Sequence, residues 1–123
     1  MTNLASLPEF LALQNASFDA IGIVDSQGRY VWINDASIRL FGYERDEVLG
    51  SHFRSPLLPD DVEAHAMREA LGGSPSVEVR RIRCKNGAVR TMRTELTPLG
   101  DGNVLIHGID ITPWYELRRM NAN

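Results

Sequence analysis

The chain has 123 residues, a length at which roughly two-thirds of the unfolded surface is buried on folding, so one ordinary hydrophobic core is expected. Its 43% apolar and 24% charged residues are typical of a globular protein, and no apolar run approaches the ~20 residues that a membrane-spanning helix needs. The net charge of −3 argues against nonspecific binding of nucleic acid, for which a basic face is expected.

The N-terminus and the cysteine content indicate a cellular compartment. No basic region followed by an apolar stretch marks a signal peptide, and the single cysteine, Cys84, cannot form an internal disulfide. The sequence therefore favours the cytoplasm and predicts neither a membrane nor a nucleic-acid partner.

The first half of the chain predicts short elements. The motif SLPE, a capping serine followed three residues later by glutamate, starts a helix over residues 7–14. Two β-rich runs, residues 20–24 and 29–33, flank turn residues and predict a hairpin. The stretch NDASIRLFGYERDEVLG then holds two short helical pieces that end at Gly42 and Gly50.

The second half predicts one more helix and three strands. Asp60 is a suitable N-cap for a helix over residues 61–71, which two glycines end. Beyond it, Asn86-Gly87 favours a tight hairpin, and NVLIHGIDIT supplies a further strand. Strands at both ends with helices between them predict an α+β fold, in which one antiparallel sheet is covered on one face by the central helices.

Alternation along the strands predicts which side chains face those helices. Met92, Thr94 and Leu96 share one side of the fourth strand. In the third strand Val77 and Val79 have one parity and Ile82 the other, which indicates a bulge or an altered register and leaves the inner face unassigned. The candidates for a ligand pocket, which in a small domain can equally be plain core, are Ile21, Ile23, Leu40, Leu57, Met92, Thr94, Leu96, Ile106 and His107.

Four segments together resemble a PAS domain in order and spacing. They are DAIGIVDSQGRYVWINDASIRLFGYERDEVLG, PDD, KNGAVRTM and GIDIT, and the resemblance covers residues 16–112, with a flanking helix over 1–15 and the start of a linker helix over 113–123. It implies a single five-stranded antiparallel sheet of order 2-1-5-4-3, with short helices that leave a pocket on its concave face. It also implies a sensory and dimerisation module that regulates a linked output domain such as a kinase, cyclase, phosphodiesterase or transcription factor.

The residues of this sequence disfavour several of the chemistries that PAS domains carry out. Light-oxygen-voltage members carry a cysteine for a flavin adduct, whereas Phe53 stands at that place here and Cys84 lies in the later hairpin. Both the flavin adduct and a thiol-linked chromophore are therefore disfavoured. No nucleophile with a nearby base, phosphate loop or metal-binding pair of acids has usable spacing, so an enzyme is not expected.

The histidines leave one cofactor alternative open. Similar haem proteins bind iron through a histidine in the helix before the third strand, where His65 lies. On a helical wheel His65 falls on the charged side between Asp61 and Glu69, which favours a solvated histidine over a haem ligand. His107 hydrogen-bonds a ligand if its face is concave, or meets the N-terminal helix or a partner if it is not. The scattered histidines give no zinc signal.

The two ends of the domain predict its output and assembly. The resemblance implies that Asp110 and Thr112 of the closing DIT motif join the sheet to the outgoing helix, and threonine is a good helix cap. Leu7, Phe10 and Leu11 form an apolar stripe on the first helix, which we expect to pack on the outer sheet or on its copy in a second protomer. A homodimer is therefore predicted. A haem gas or redox sensor that uses His65 and a ligand-free dimerisation module remain the alternative functions.

Overall fold

The computed structural model describes residues 7–56 and 65–121. In that part of the chain the elements are α1 Leu7–Ala16, β1 Ala20–Val24, β2 Tyr30–Ile33, α2 Asp35–Phe41, α3 Arg45–Val48, α4 His65–Leu71, β3 Ser76–Arg83, β4 Val89–Pro98, β5 Val104–Asp110 and α5 Thr112–Asn121. The first part of the helix predicted over 61–71 falls outside the described residues, as does Leu57. No helix within the described ranges is both long and apolar enough to cross a bilayer.

The five strands form one antiparallel sheet in the order β2-β1-β5-β4-β3, which confirms the predicted fold. In α4, Ala66, Met67 and Ala70 are buried, whereas Arg68 and Glu69 are exposed, so Glu69 lies on the solvent side as the helical wheel predicts. The three buried α4 residues belong to one hydrophobic core with Val24, Phe53, Leu96, Val104 and Ile106. One end of the concave sheet face is thus filled by α4.

The third strand carries no bulge, so that prediction is wrong. Its pairing with β4 runs without a shift from Ser76 opposite Leu96 to Arg83 opposite Val89. No bulge is needed because the two valines lie on the outer side of the strand and Arg80 lies on the inner side with Ile82. Arg80 is 3% exposed, whereas Val77 and Val79 are more than half exposed. The irregularity lies between β1 and β2 instead.

A single asparagine joins three elements at the start of α2. Asn34 is fully buried, and its Oδ1 accepts from the backbone N–H of Ser37 at 3.1 Å and of Ile21 at 3.0 Å. Its Nδ2 donates to the carbonyl oxygens of Gln14 at 3.0 Å and Asp19 at 2.8 Å. The asparagine therefore caps α2, as expected, and also anchors β1 and the end of α1.

The predicted glycine stop of α2 has the geometry that such a stop needs. Gly42 has a φ of 81° and donates its N–H to the carbonyl of Ile38 at 2.9 Å. A left-handed residue at this place ends the helix after two turns and reverses the chain toward α3. The two short helices therefore fold over the sheet instead of extending past its edge.

Candidate functional site

A cavity of about 220 Å³ lies between the sheet and the short helices. It is mostly apolar, and both layers of the fold contribute to it. Among the described residues its lining consists of Ala20, Gly22, Tyr30, Ile33, Ser37, Phe41, Tyr43, Glu47, Val48, Ser51, Phe53, Ser55, Pro56, Arg80, Ile82, Met92, Thr94, Ile106 and Gly108. An apolar cavity with a few polar groups is the usual form of a small-molecule site.

The structure brings part of the sequence-derived set together at this cavity. Met92, Thr94 and Ile106 line it, and all three are buried. Leu96 is on the same side of β4 but lies in the core packed by α4. Whether any of these residues binds a ligand stays a prediction.

The placement of Ile21 and Ile23 at the pocket is wrong. In β1 the residues that line the cavity are Ala20 and Gly22, and alternation turns the two isoleucines to the opposite face. Small residues suit the cavity side because a Cβ on Gly22 would lie only 3.0 Å from Tyr30 Cε1. Glycine inside a strand pattern was the available sequence signal, since it marks a close approach.

His107 and Leu40 also lie away from the cavity. His107 is opposite Ile21 in the sheet, and its Nε2 lies 2.8 Å from Asp19 Oδ2 in the loop after α1. The outer-face alternative for this histidine is therefore the one that the structure shows. Leu40 lines a separate shallow groove beside Cys84 and Lys85.

The most informative residue at the cavity is an arginine of β3, the strand whose inner face the sequence left unassigned. Arg80 lines the cavity, and its Nε donates to Glu78 Oε2 at 3.3 Å. Its guanidinium carbon lies 5.3 Å from the centroid of the Phe53 ring, a cation–π distance. Its Nη2 is buried and has no hydrogen-bond partner among the described residues. The signal that could have found it is parity, because Arg80 and Ile82 share a side.

Two further ionisable groups line the cavity. Burial raises the pKa of the Tyr30 hydroxyl, and the positive charge of Arg80 offsets part of that rise. Hydrogen bonds from Lys85 and from the Glu44 backbone lower the pKa of Glu47, so this exposed carboxylate stays ionised. The phenol is therefore a neutral donor inside the cavity, while Glu47 and Lys85, 2.5 Å apart, form an ion pair at its edge.

The residues considered for flavin or haem binding do not all lie at the cavity. Cys84 is buried, its Sγ lies 3.7 Å from the Leu40 carbonyl oxygen, and burial raises its thiol pKa. Phe53, at the position of the light-oxygen-voltage cysteine, lines the cavity. The side chain of His65 lies outside the described set, so the haem alternative stays a hypothesis. Within the described part of the chain no group of three His, Cys, Asp or Glu side chains is arranged to hold a metal.

The DIT segment makes a compact joint between the sheet and α5. Asp110 Oδ1 accepts from the Thr112 N–H at 3.0 Å, and Asp110 Oδ2 accepts from Arg90 Nη1 at 3.2 Å. The Thr112 hydroxyl oxygen accepts from the Thr91 N–H at 2.7 Å. The first residue of α5 is thus tied to β4 as well as to β5.

Comparisons with known proteins agree with this architecture. The family described as PAS fold matches residues 15–116. A domain of a sensory box sensor histidine kinase/response regulator from Geobacter sulfurreducens is 30% identical with a TM-score of 0.77, over 88% of this chain and 97% of that one. A comparison with curated proteins finds no match.

Two more distant structures share the fold alone. The PAS domain of an HTR-like protein from Haloarcula marismortui is 21% identical with a TM-score of 0.72, over 87% of this chain and 93% of that one. An RNA-binding light-oxygen-voltage receptor is 23% identical with a TM-score of 0.78, and all of this chain spans 39% of that one. The chain belongs to the PAS family, whose members are generally sensory modules and not catalysts.

Proposed function

We propose that this domain binds a small molecule in the cavity between its sheet and short helices and thereby regulates a covalently linked output domain, such as a kinase, cyclase or phosphodiesterase. The observation that carries the proposal is the cavity of about 220 Å³, to which both layers contribute side chains. An occupant in this position contacts the helices and the sheet together. A change in occupancy therefore alters how the two layers pack.

The path from the cavity to the output is short. Ile106 and Gly108 of β5 line the cavity, and Asp110 lies two residues further along the same strand. Met92 of β4 also lines the cavity and is paired with Asp110 across the sheet. A shift of these two strands is thus transmitted to the joint that holds α5.

The first test is native mass spectrometry of the purified protein and two Thr94 variants. Thr94 is 4% exposed and lines the cavity. Thr94→Phe adds a phenyl group, and benzene occupies a cavity of about 150 Å³, so this variant fills much of the space. We expect a co-purified small molecule on the wild type and on the isosteric control Thr94→Val, and its loss from Thr94→Phe. The ligand-free alternative would be favoured by two results together: no bound species on the wild type, and no change in its melting temperature with any member of a fragment library.

We also propose that the domain forms a homodimer through α1 and the residues that follow it. Of the predicted apolar stripe, Phe10 and Leu11 are half-buried, and the side chain of Leu7 lies outside the described set. Leu13 is 71% exposed and Phe18 is 96% exposed. Two large apolar side chains so close in sequence favour burial against a second copy. Analytical ultracentrifugation should show a concentration-dependent dimer that Leu13→Ser with Phe18→Ser weakens and that the surface control Leu99→Ser leaves intact. A wild-type monomer at every concentration would contradict the proposal.

A further inference from the structure

We propose that the ligand of this cavity carries an oxyanion, a carboxylate or a phosphate, which pairs with the guanidinium of Arg80. The inference rests on the proposed function, because it names the chemical class that the same cavity takes. It follows from the burial and pairing of the Arg80 side chain and from the apolar lining of the cavity.

The burial of Arg80 is the first step. Its side chain is 4% exposed, and its Nη2 lacks any acceptor in the described part of the chain. Buried polar atoms are normally hydrogen-bonded, and buried charges are normally paired, because leaving either unpaired costs free energy. Because Arg80 lines the cavity, its incompletely paired guanidinium points to an acceptor that the occupant supplies.

Glu78 does not complete the pairing. Glu78 accepts a hydrogen bond from Arg80 Nε alone among the Arg80 donors, at 3.3 Å. Its own side chain is 29% exposed, so solvent screens its negative charge. Guanidinium groups bind carboxylate and phosphate best in pairs of parallel hydrogen bonds. Arg80, which lines the cavity, therefore has donors left for a second oxyanion.

The rest of the cavity describes the body of the ligand. Phe53 offers a ring beside the guanidinium, and Ile33, Ile82 and Met92 add apolar surface. Scaling from the ~150 Å³ that holds benzene, the volume admits roughly nine non-hydrogen atoms. The geometry thus fits a compact molecule with an apolar or aromatic body and one anionic end, and benzoate is a probe of that size.

The test compares charged and neutral aromatic probes by isothermal titration calorimetry, and the neutral probe is matched in shape to the carboxylate. Benzoate and phenyl phosphate represent the two oxyanions, and benzamide is the neutral control. We expect at least one oxyanion to bind about ten-fold or more tightly than benzamide, and we expect this preference to disappear in Arg80→Met. Arg93→Met, which removes an exposed arginine on the outer side of β4, should keep the preference.

Arg80→Met also has a readout without ligand. Replacing a buried, incompletely paired charge by an apolar side chain of similar length is often neutral or stabilising, so the ligand-free variant should melt at or above the wild-type temperature. Added oxyanion should raise the melting temperature of the wild type and leave that of Arg80→Met unchanged.

Three results would overturn the inference. They are equal affinity for benzamide and the oxyanions, no binding of either oxyanion, or an oxyanion preference that survives in Arg80→Met. The native mass spectra of the Thr94 variants decide separately whether the cavity holds a ligand. A neutral ligand found there would remove the role of Arg80 and leave the proposed function standing.

Discussion

Asn34→Ala is expected to lower the free energy of unfolding by about 3–5 kcal/mol, a large part of the stability of a domain this size. The alanine removes the acceptor for the buried N–H groups of Ile21 and Ser37. It also removes the donor for the carbonyls of Gln14 and Asp19. Buried groups that lose their partners cost more than the net gain of the bonds they made. Urea unfolding monitored by circular dichroism measures the change.

Two variants control the Asn34 experiment. Asn34→Asp keeps an acceptor but places a carboxylate against the carbonyls of Gln14 and Asp19, so it should destabilise strongly at neutral pH and less once the acid is protonated. Asn86→Ala removes an exposed asparagine that accepts from the Ala88 N–H, and it should cost about 1 kcal/mol or less. If Asn34→Ala costs no more than Asn86→Ala, the central role of Asn34 is refuted.

Asp110→Ala is expected to uncouple the occupancy of the cavity from the activity of the linked output domain. The variant removes the carboxylate that accepts from the Thr112 N–H and from Arg90. A hydrogen bond to a charged group contributes about 1.5–3 kcal/mol, so amide exchange at the start of α5 should accelerate by about ten-fold or more. Hydrogen-exchange mass spectrometry measures it, and the amides of β2, which is separated from β5 by β1, should exchange as before.

The matched control for this joint is Asp110→Asn. Asparagine keeps an oxygen that can accept from the Thr112 N–H, but it loses the charge that pairs with Arg90. Exchange in α5 should therefore rise from wild type through Asp110→Asn to Asp110→Ala. In the full-length protein, regulation should be lost in Asp110→Ala and largely kept in Asp110→Asn. Unaltered regulation in Asp110→Ala would contradict mechanical coupling through this joint.

Local chemistry explains why much of the fold follows from the sequence. The bounds of β1, the Asn34 cap and the Gly42 stop each depend on residues within a few positions of one another. The strand order came from the PAS resemblance, because strand pairing joins residues far apart in the chain. Alternation within β4 placed Met92 and Thr94 on the helix side correctly, since every second residue of that strand is suited to burial.

The candidate site depended on tertiary contacts. Ile21 and Ile23 are more apolar than Ala20 and Gly22, so the hydrophobic pattern of β1 predicted that the isoleucines face the helices, which is wrong. The sequence left the inner face of β3 unassigned and did not point to Arg80, because an arginine is rarely buried. Only the folded chain sets Phe53 beside it. By itself, the sequence determined the secondary structure and the family. Which side of each strand faces the cavity, and the charge inside it, was decided by packing, because a cavity is defined by what distant elements leave unfilled.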